Sequence, residues 1–325
     1  KIKKYTKSKY AISVVNGTSA LHIALRLINL KKNEEVLVPD ISFVATANAI
    51  LYEHANPHFI DVEEENFGIN PDKLNNYLIK NTKIKNNNCY NKKTGNKIAA
   101  IIVVHVFGHP AKIEKILKIA KKFKLKVIED AAESLGSFYK KKHLGTFGDV
   151  GILSFNGNKI VTTGGGGAIL VKSKSLAERA LKLSTTSKVN HKWEYKHDEL
   201  GYNYRMPNIN AALACAQLEN LDLFLKSKRK IAKLYIDFFD SLNINFRKEV
   251  HNTKSNYWLM ALELEDLKAR DYFLKKTNAN KIMTRPVWQL MFNLPMFKAY
   301  FKDSQKNAIY LSERIVNIPS SSILI

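Results

Sequence analysis

Ser154-Phe-Asn-Gly-Asn-Lys159-Ile-Val-Thr-Thr-Gly164-Gly-Gly-Gly167 sets one lysine between an apolar run, Val150 to Phe155, and four consecutive glycines. The apolar run reads as a buried strand. The glycines mark backbone that passes close to something. A lysine at the mouth of such a strand suggests an amine held for covalent chemistry. The leading reading is a Schiff base from Lys159 to the aldehyde of pyridoxal phosphate (PLP). Taken alone, a lysine beside a glycine run is more often a solvated loop residue, and the glycines a flexible loop or bulge. The neighbouring segments reverse that preference.

The glycines fit neither Gly-x-Gly-x-x-Gly nor a P-loop, because no Gly-Lys-Ser/Thr closes the run. A Rossmann dehydrogenase or a P-loop ATPase is therefore poorly supported. Upstream, Lys126-Val-Ile-Glu-Asp130 is a strand ending in a carboxylate. In open α/β sheets ligands sit at the carboxyl ends of strands. Asp130 there can pair with a cationic ring nitrogen and keep it protonated, or simply cap a helix. Gly17-Thr18-Ser19 opens a helix whose apolar face is Leu21, Ala24, Leu25 and Ile28. Thr18 and Ser19 at its start suit a phosphate or a plain N-cap. His105 ends the apolar run Ile98 to Phe107 and faces either a ligand or the core. Nothing in the sequence places a metal.

Farther out, strands and helices alternate. Strands are expected at Val36–Pro39, Pro57–Val62, Ile98–Phe107, Lys126–Glu129, Val150–Phe155 and Ala168–Val171. Helices are expected at Ala45–Tyr52, Pro71–Ile79 and Ile113–Phe123. This alternation implies a mostly parallel sheet. Residues 81–97 are polar and turn-rich, a surface loop or small hairpin. After about residue 205 the pattern becomes one long helical stretch, Asn208 to Leu242, followed by shorter α+β elements.

With 325 residues the chain exceeds the usual span of one hydrophobic core. Three parts are expected: a large α/β domain over 1–205, a helical connection over 206–243 and a small α+β domain over 244–325. The net charge is +23, with 44 lysines against 8 arginines. That balance permits an anion- or nucleic-acid-binding surface. The lysines are spread along the chain, however, and Asn and Ile are abundant, which favours a compositional origin. Cys89 and Cys215 have no metal-ligand spacing and frame no disulfide, as expected in a reducing cytoplasm. No apolar run reaches the ~20 residues that span a bilayer, and the first residues lack the apolar core of a signal peptide.

Taken together, the motifs resemble the DegT/DnrJ/StrS family of PLP-dependent sugar-nucleotide aminotransferases. In order these are Asn16-Gly-Thr-Ser-Ala-Leu-His, Val38-Pro-Asp-Ile-Ser-Phe-Val-Ala-Thr-Ala-Asn, Val104-His-Val-Phe-Gly, Ile128-Glu-Asp-Ala-Ala-Glu-Ser-Leu-Gly, Gly145-Thr-Phe-Gly-Asp, Ser154-Phe-Asn-Gly-Asn-Lys and Gly201-Tyr-Asn-Tyr-Arg-Met. The resemblance implies a type I PLP-dependent transferase (aspartate aminotransferase-like) fold. It makes Lys159 the covalent and proton-shuttling lysine and Asp130 the partner of the pyridinium nitrogen. Phe43 matches the residue that stacks on the ring. Thr18, Ser19 and Ser154 match phosphate-binding positions. Asn203 matches the asparagine that reaches the phosphate of a neighbouring subunit, which implies a homodimer. Glu133 stands where the family usually has Gln beside the phenolic oxygen, and a carboxylate there repels a phenolate unless one of them is protonated.

A finer similarity, through Thr284-Arg-Pro-Val-Trp-Gln-Leu-Met and Val316-Asn-Ile-Pro-Ser-Ser, is to the branch acting in bacillosamine and legionaminic acid synthesis. That branch implies amination of the C4 ketone of a nucleotide-linked 4-keto-6-deoxy-N-acetylhexosamine, with L-glutamate as donor. His105, Arg205, Arg285 and Trp288 are its candidate substrate contacts. Family members usually carry a few dozen residues before the Gly-Thr-Ser helix and extend past the final Ser-Ser. A trimmed sequence or a shortened enzyme is expected on that count. Two rival readings are a PLP-fold sugar dehydratase or isomerase, whose dehydratase branch has His in place of the lysine, and a non-catalytic basic binding protein.

Overall fold

The computed structural model describes residues 1–322. Seven strands form the continuous path of a nine-stranded main sheet: β1 (Tyr10–Val14), β2 (Glu35–Pro39), β3 (Asn56–Ile60), β4 (Lys97–Val104), β5 (Lys126–Asp130), β6 (Val150–Ser154) and β7 (Gly167–Val171). Their order is β1-β7-β6-β5-β4-β2-β3. The steps from β6 through β5, β4 and β2 to β3 are parallel. β7 runs antiparallel to both of its neighbours.

The strands are apolar because both faces are covered. Every residue of β2, β6 and β7 is buried. Helix α1 (Gly17–Leu27), helix α2 (Ala45–Tyr52) and the helix Lys174–Ser184 cover one face, where Leu21, Leu25, Ile50 and Leu183 join one core cluster. The helices Pro71–Asn81 and Ile113–Phe123 cover the other, through Leu74, Leu78, Ile116 and Phe123.

Local chemistry sets the helix starts. Asn16 accepts the Ser19 N–H at 2.7 Å, and Asn70 caps a helix whose first residue is Pro71. The polar stretch 81–97 forms the hairpin Thr82–Lys85/Asn88–Asn91, whose second strand joins β4. The long stretch from Asn208 breaks at Asn220 into Asn208–Glu219 and Leu221–Ser241.

Beyond it, β8 (Asn245–Phe246), β9 (Met260–Glu263), β10 (Arg285–Pro286) and β11 (Ile315–Ile318) form a second sheet in the order β8-β9-β11-β10. Phe246, Met260, Leu262 and Val316 pack there with Ala232 and Phe239 of the long helix. Between β10 and β11 the chain returns to the main sheet. The Phe59 N–H donates to the Phe301 carbonyl at 2.9 Å, and Met291, Phe297 and Leu311 enter the same core as β2 and β3. No helix among the described residues is long and apolar enough to cross a membrane.

Candidate active site

The parallel strands end at one rim, and that rim carries the cleft. β5 delivers Asp130, β6 delivers Ser154, and α1 begins beside them at Gly17. A Cβ at Gly17 would stand 2.9 Å from the Ser154 Cβ, and one at Gly167 would stand 2.6 Å from the Asn16 carbonyl. The glycine run therefore lies against the chain's own helix start. It lets β7 approach so closely that Thr18 and Ser154 share one wall. The first intrahelical bond of α1 runs from the Ala20 N–H to the Asn16 carbonyl. The amides of Gly17 and Thr18 precede it, a setting that favours an anion.

A cavity of about 340 Å³ opens there, lined by Thr18, Phe43, Asp130, Glu133, Ser154, Lys159 and Trp288 together. After β6 the chain turns, with the Lys159 N–H donating to the Asn156 carbonyl at 3.0 Å. The Lys159 Nζ lies 3.6 Å from Glu133 Oε1 and 3.7 Å from the centre of the Trp258 ring. Trp258 is in turn fixed by its indole N–H, which donates to the Asn158 carbonyl at 2.7 Å. The sequence reading passed over Trp258. It lies 99 positions beyond Lys159 in an ordinary apolar segment, and only the tertiary fold brings the two together.

Asp130 is buried, and its Oδ2 accepts the Thr46 hydroxyl at 2.7 Å. The Ala132 N–H donates to its Oδ1 at 3.2 Å. Burial raises its carboxyl above the usual range, while Thr46, Ala132 and Lys159 oppose that rise. Glu133 is buried as well, and its Oε2 accepts the Phe107 N–H at 2.8 Å. Burial pushes it up to about 7 against the pull of Lys159. Phe107, which supplies that amide, and Tyr257, the neighbour of Trp258, both sit in the left-handed region at φ 58° and φ 50°. Such a backbone costs on the order of 1–3 kcal/mol per bulky residue and concentrates where a site is being shaped.

His105 requires a correction. It is fully buried, its Nδ1 accepts the Ala111 N–H at 3.1 Å and its Nε2 lies 3.1 Å from Glu129 Oε2. Both ring nitrogens are thus committed inside the core. Val104 pairs with Asp130 and both line the cavity. Side chains alternate along strands, so residues 105 and 129 face the other way.

Ser19 is buried and outside the cavity lining, which leaves Thr18 as the hydroxyl on that turn. Arg285 lines an adjoining cavity of about 940 Å³ that also contains Lys159, Trp258 and Trp288. Trp288 belongs to both cavities and leans on Phe107 at 5.1 Å between ring centres. Asn203 and Arg205 are exposed and bridge to Thr185 and Val14, away from both cavities of this single chain.

The donor set fits PLP. Thr18, Ser154 and the free turn of α1 suit its phosphate, Asp130 its ring nitrogen, Phe43 its ring face and Lys159 its aldehyde. The sequence profile of the DegT/DnrJ/EryC1/StrS aminotransferase family matches residues 1–324. The chain is similar to the GDP-perosamine synthase of Escherichia coli O157:H7, 37% identical over 314 residues that cover 96% of this chain and 80% of that protein. It is also similar to the UDP-4-amino-4,6-dideoxy-N-acetyl-β-L-altrosamine transaminase of Campylobacter jejuni, at 34% over 73% of this chain and 59% of that one. The crystal structure of a DegT DnrJ EryC1 StrS aminotransferase from Brucella abortus superposes with a TM-score of 0.90 at 25% identity, covering 98% of this chain and 83% of that one. A cleft built for an aldehyde-bearing aromatic phosphate and a family match running from end to end give one answer: the chain belongs to the DegT/DnrJ/EryC1/StrS family and is a PLP-dependent aminotransferase.

Proposed function

We propose that this enzyme transfers an amino group, from L-glutamate, to the C4 ketone of a nucleotide-linked 4-keto-6-deoxy-N-acetylhexosamine, within the bacillosamine/legionaminic acid branch. The observation that carries the reading is the position of Lys159, which lines both the small cavity and the larger one beside it. PLP, when bound, supplies the electrophilic carbonyl and the electron sink that transamination needs.

The chain's own groups do the rest. Thr18 and Ser154 hold the phosphate, with Ser19 shaping the turn behind them through its bond to Asn16. Asp130, anchored by Thr46 and Ala132, keeps its carboxylate available to a cationic ring nitrogen. Lys159 would hold the cofactor covalently through its amine. With that amine free, Lys159 would act as the group that holds and moves a proton in the cleft, a general acid–base role that typically contributes ~10²–10⁴-fold. The Trp258 face is a neutral surface on which the ammonium can rest between transfers. Glu133, near half-protonation at neutral pH, can present an O–H where an amide N–H is usual. This removes the repulsion that a fixed carboxylate would exert on a phenolate.

The reading also takes the active unit to be a homodimer. Asn203 and Arg205 sit on an exposed segment from which they can enter a neighbouring subunit's cleft. The division into 1–205, 206–243 and 244–325 belongs to the same proposal, with the larger cavity lined from all three parts.

The test is visible absorbance of the protein with PLP, before and after L-glutamate. A band of lysine-bound cofactor is expected, shifting to that of the aminated cofactor. Lys159→Ala is expected to lose the covalent band and turnover together. Transamination retained by that variant would remove the central claim.

A further inference from the structure

The rim opposite the cleft carries a cavity of about 400 Å³ that the chemistry at Lys159 does not use. In the β6–β7 pair, Ser154 and Gly167 stand at the cleft and Val150 and Val171 at the far end, about 13 Å away at ~3.3 Å per residue. Val171 lines this distal cavity together with the segment Tyr5 to Lys9 that leads into β1. Five lysines border it, Lys7, Lys9, Lys141, Lys142 and Lys172, and no Asp or Glu does. They come from three segments far apart in the chain, so only the fold gathers them.

Two features of this gathering work against the fold. The first is backbone. Tyr139 pairs with Lys142 across a two-residue turn, Lys140-Lys141, and both turn residues are left-handed, at φ 46° and φ 65°. Such a turn ordinarily takes Asn-Gly. Lys7 is left-handed as well, at φ 57°. The second is charge. Lys140 has a counter-ion in Glu114, at 2.7 Å, but no carboxylate among the described residues forms an ion pair with the five cavity lysines. Lys172 donates to the Phe147 carbonyl instead, and Lys142 lies 4.4 Å from the centre of the Phe147 ring. Burial and the neighbouring Lys142 ammonium hold Lys172 below the usual lysine range, against the pull of Glu129 and Asp149. Strained backbone and crowded like charges at one place are what a ligand site retains.

We infer that this distal cavity is a second anion site, remote from Lys159, which receives an oligophosphate group carried on a nucleoside or free. Lysines meet phosphate as point charges, and a chain of phosphates presents anionic oxygens to ammonium groups on several sides at once. The volume suits a small molecule. Tyr5 and Phe138, with ring centres 6.4 Å apart, and Leu170 supply an apolar wall that a base can lie against. His143, also in the wall, has both ring nitrogens engaged: Nε2 accepts the Gly136 N–H at 2.9 Å and Nδ1 faces the Leu144 carbonyl. No free imidazole accompanies the lysines, and the site is one of binding, not of turnover. The inference does not depend on the substrate proposed above.

The experiment is calorimetric titration of the PLP-loaded protein with inorganic tripolyphosphate and with ATP. Wild type is expected to bind at least one of them. Lys141→Gln combined with Lys172→Gln is expected to weaken that binding by about 10-fold or more, the usual cost of losing charge-assisted contacts. Lys268→Gln combined with Lys275→Gln removes the same charge from the helix Leu267–Ala279 and is expected to stay within about twofold of wild type. Lys141→Gly relieves the left-handed backbone, so it is expected to melt no lower than wild type while binding roughly 3- to 10-fold more weakly. It therefore remains informative if the double variant fails to fold. ATP bound about 10-fold more tightly than tripolyphosphate assigns the site to a nucleoside-borne group, and equal affinities assign it to the free anion. Three results would overturn the inference: no binding of either probe by wild type, unchanged binding by Lys141→Gly or the cavity double variant, or an equal loss in the Lys268/Lys275 pair or in Arg285→Gln. The last would place the anion in the cavity beside Lys159.

Discussion

At Glu133, burial and the Lys159 ammonium act in opposite directions, and burial prevails: the carboxyl moves from 4.5 to about 7. The consequence for stability has a definite sign. Below pH 4.5 the group is protonated in both folded and unfolded chains. Between 4.5 and 7 the unfolded chain ionises first, so stability falls as pH rises. Above 7 the full penalty is present, up to about 3 kcal/mol at 1.36 kcal/mol per unit. Glu133→Gln cannot ionise. In thermal melts of the cofactor-free protein, its stability relative to wild type is expected to grow from pH 4.5 to 7 and then level off. A difference that stays constant across that window would contradict the assigned ionisation. Lys159 and Asp130 were legible in the sequence because one follows closely on, and the other ends, a run whose strand character is local. His105 also ends such a run, yet its direction depends on the register with β5 and on the amide of Ala111. Neither is written near residue 105.

At the scale of elements, the contact between the start of β7 and the start of α1 is the joint on which the wall of Thr18 and Ser154 depends. A methyl group at Gly167 would stand 2.6 Å from the Asn16 carbonyl carbon and oxygen and 2.9 Å from the Gly17 nitrogen. All are backbone atoms that cannot rotate away. Gly167→Ala is therefore expected to cost about 1–3 kcal/mol, as overpacking does. It should also displace the α1 turn and weaken PLP binding by roughly tenfold, since a donor shifted from its phosphate loses about 1.4 kcal/mol or more. Differential scanning fluorimetry and a PLP titration followed by absorbance check both halves. Unchanged PLP affinity would show that the turn is not part of the phosphate seat. Most element positions were legible, because buried parallel strands read as apolar runs and Pro71 and Asn70 announce a helix start. The elements passed over include β1 and the helix Lys174–Ser184. β1 is short and only partly buried. The helix is capped by Ser173, whose hydroxyl accepts the Leu176 N–H, and its apolar spacing through Leu176, Ala180 and Leu183 was overlooked. The break at Asn220 was also missed, because good helix formers stand on both sides of it.

For the whole molecule, the apolar side chains left outside point to assembly. The helix Asn208–Glu219 buries only Ala214, while Ile209 is 84% and Leu213 43% exposed. Trp193, Tyr195 and Leu200 are exposed on the preceding segment, which leads into Asn203 and Arg205. Large apolar residues gathered on one stretch mark an interface. On the proposed homodimer, Ile209→Asp combined with Leu213→Asp is expected to shift the protein from dimer to monomer in light scattering after gel filtration. Turnover should fall at least tenfold if Asn203 serves the partner's cleft. A variant pair that remains dimeric would place the interface elsewhere.

The sequence by itself determined the α/β class, a lysine at the mouth of a buried strand, an aspartate at a strand end and a helix that begins at Gly17. These follow from periodicity and from residues within a few positions of one another. Only the tertiary structure decided that Trp258 lies over Lys159, that burial lifts the Glu133 carboxyl to about 7, and that Arg285 and Trp288 face one cavity with Lys159. It also turned His105 into the core. Each of these depends on contacts between segments 20 to 160 residues apart, and on how much water they exclude. Desolvation and long-range register are properties of the assembled chain, and no local pattern encodes them.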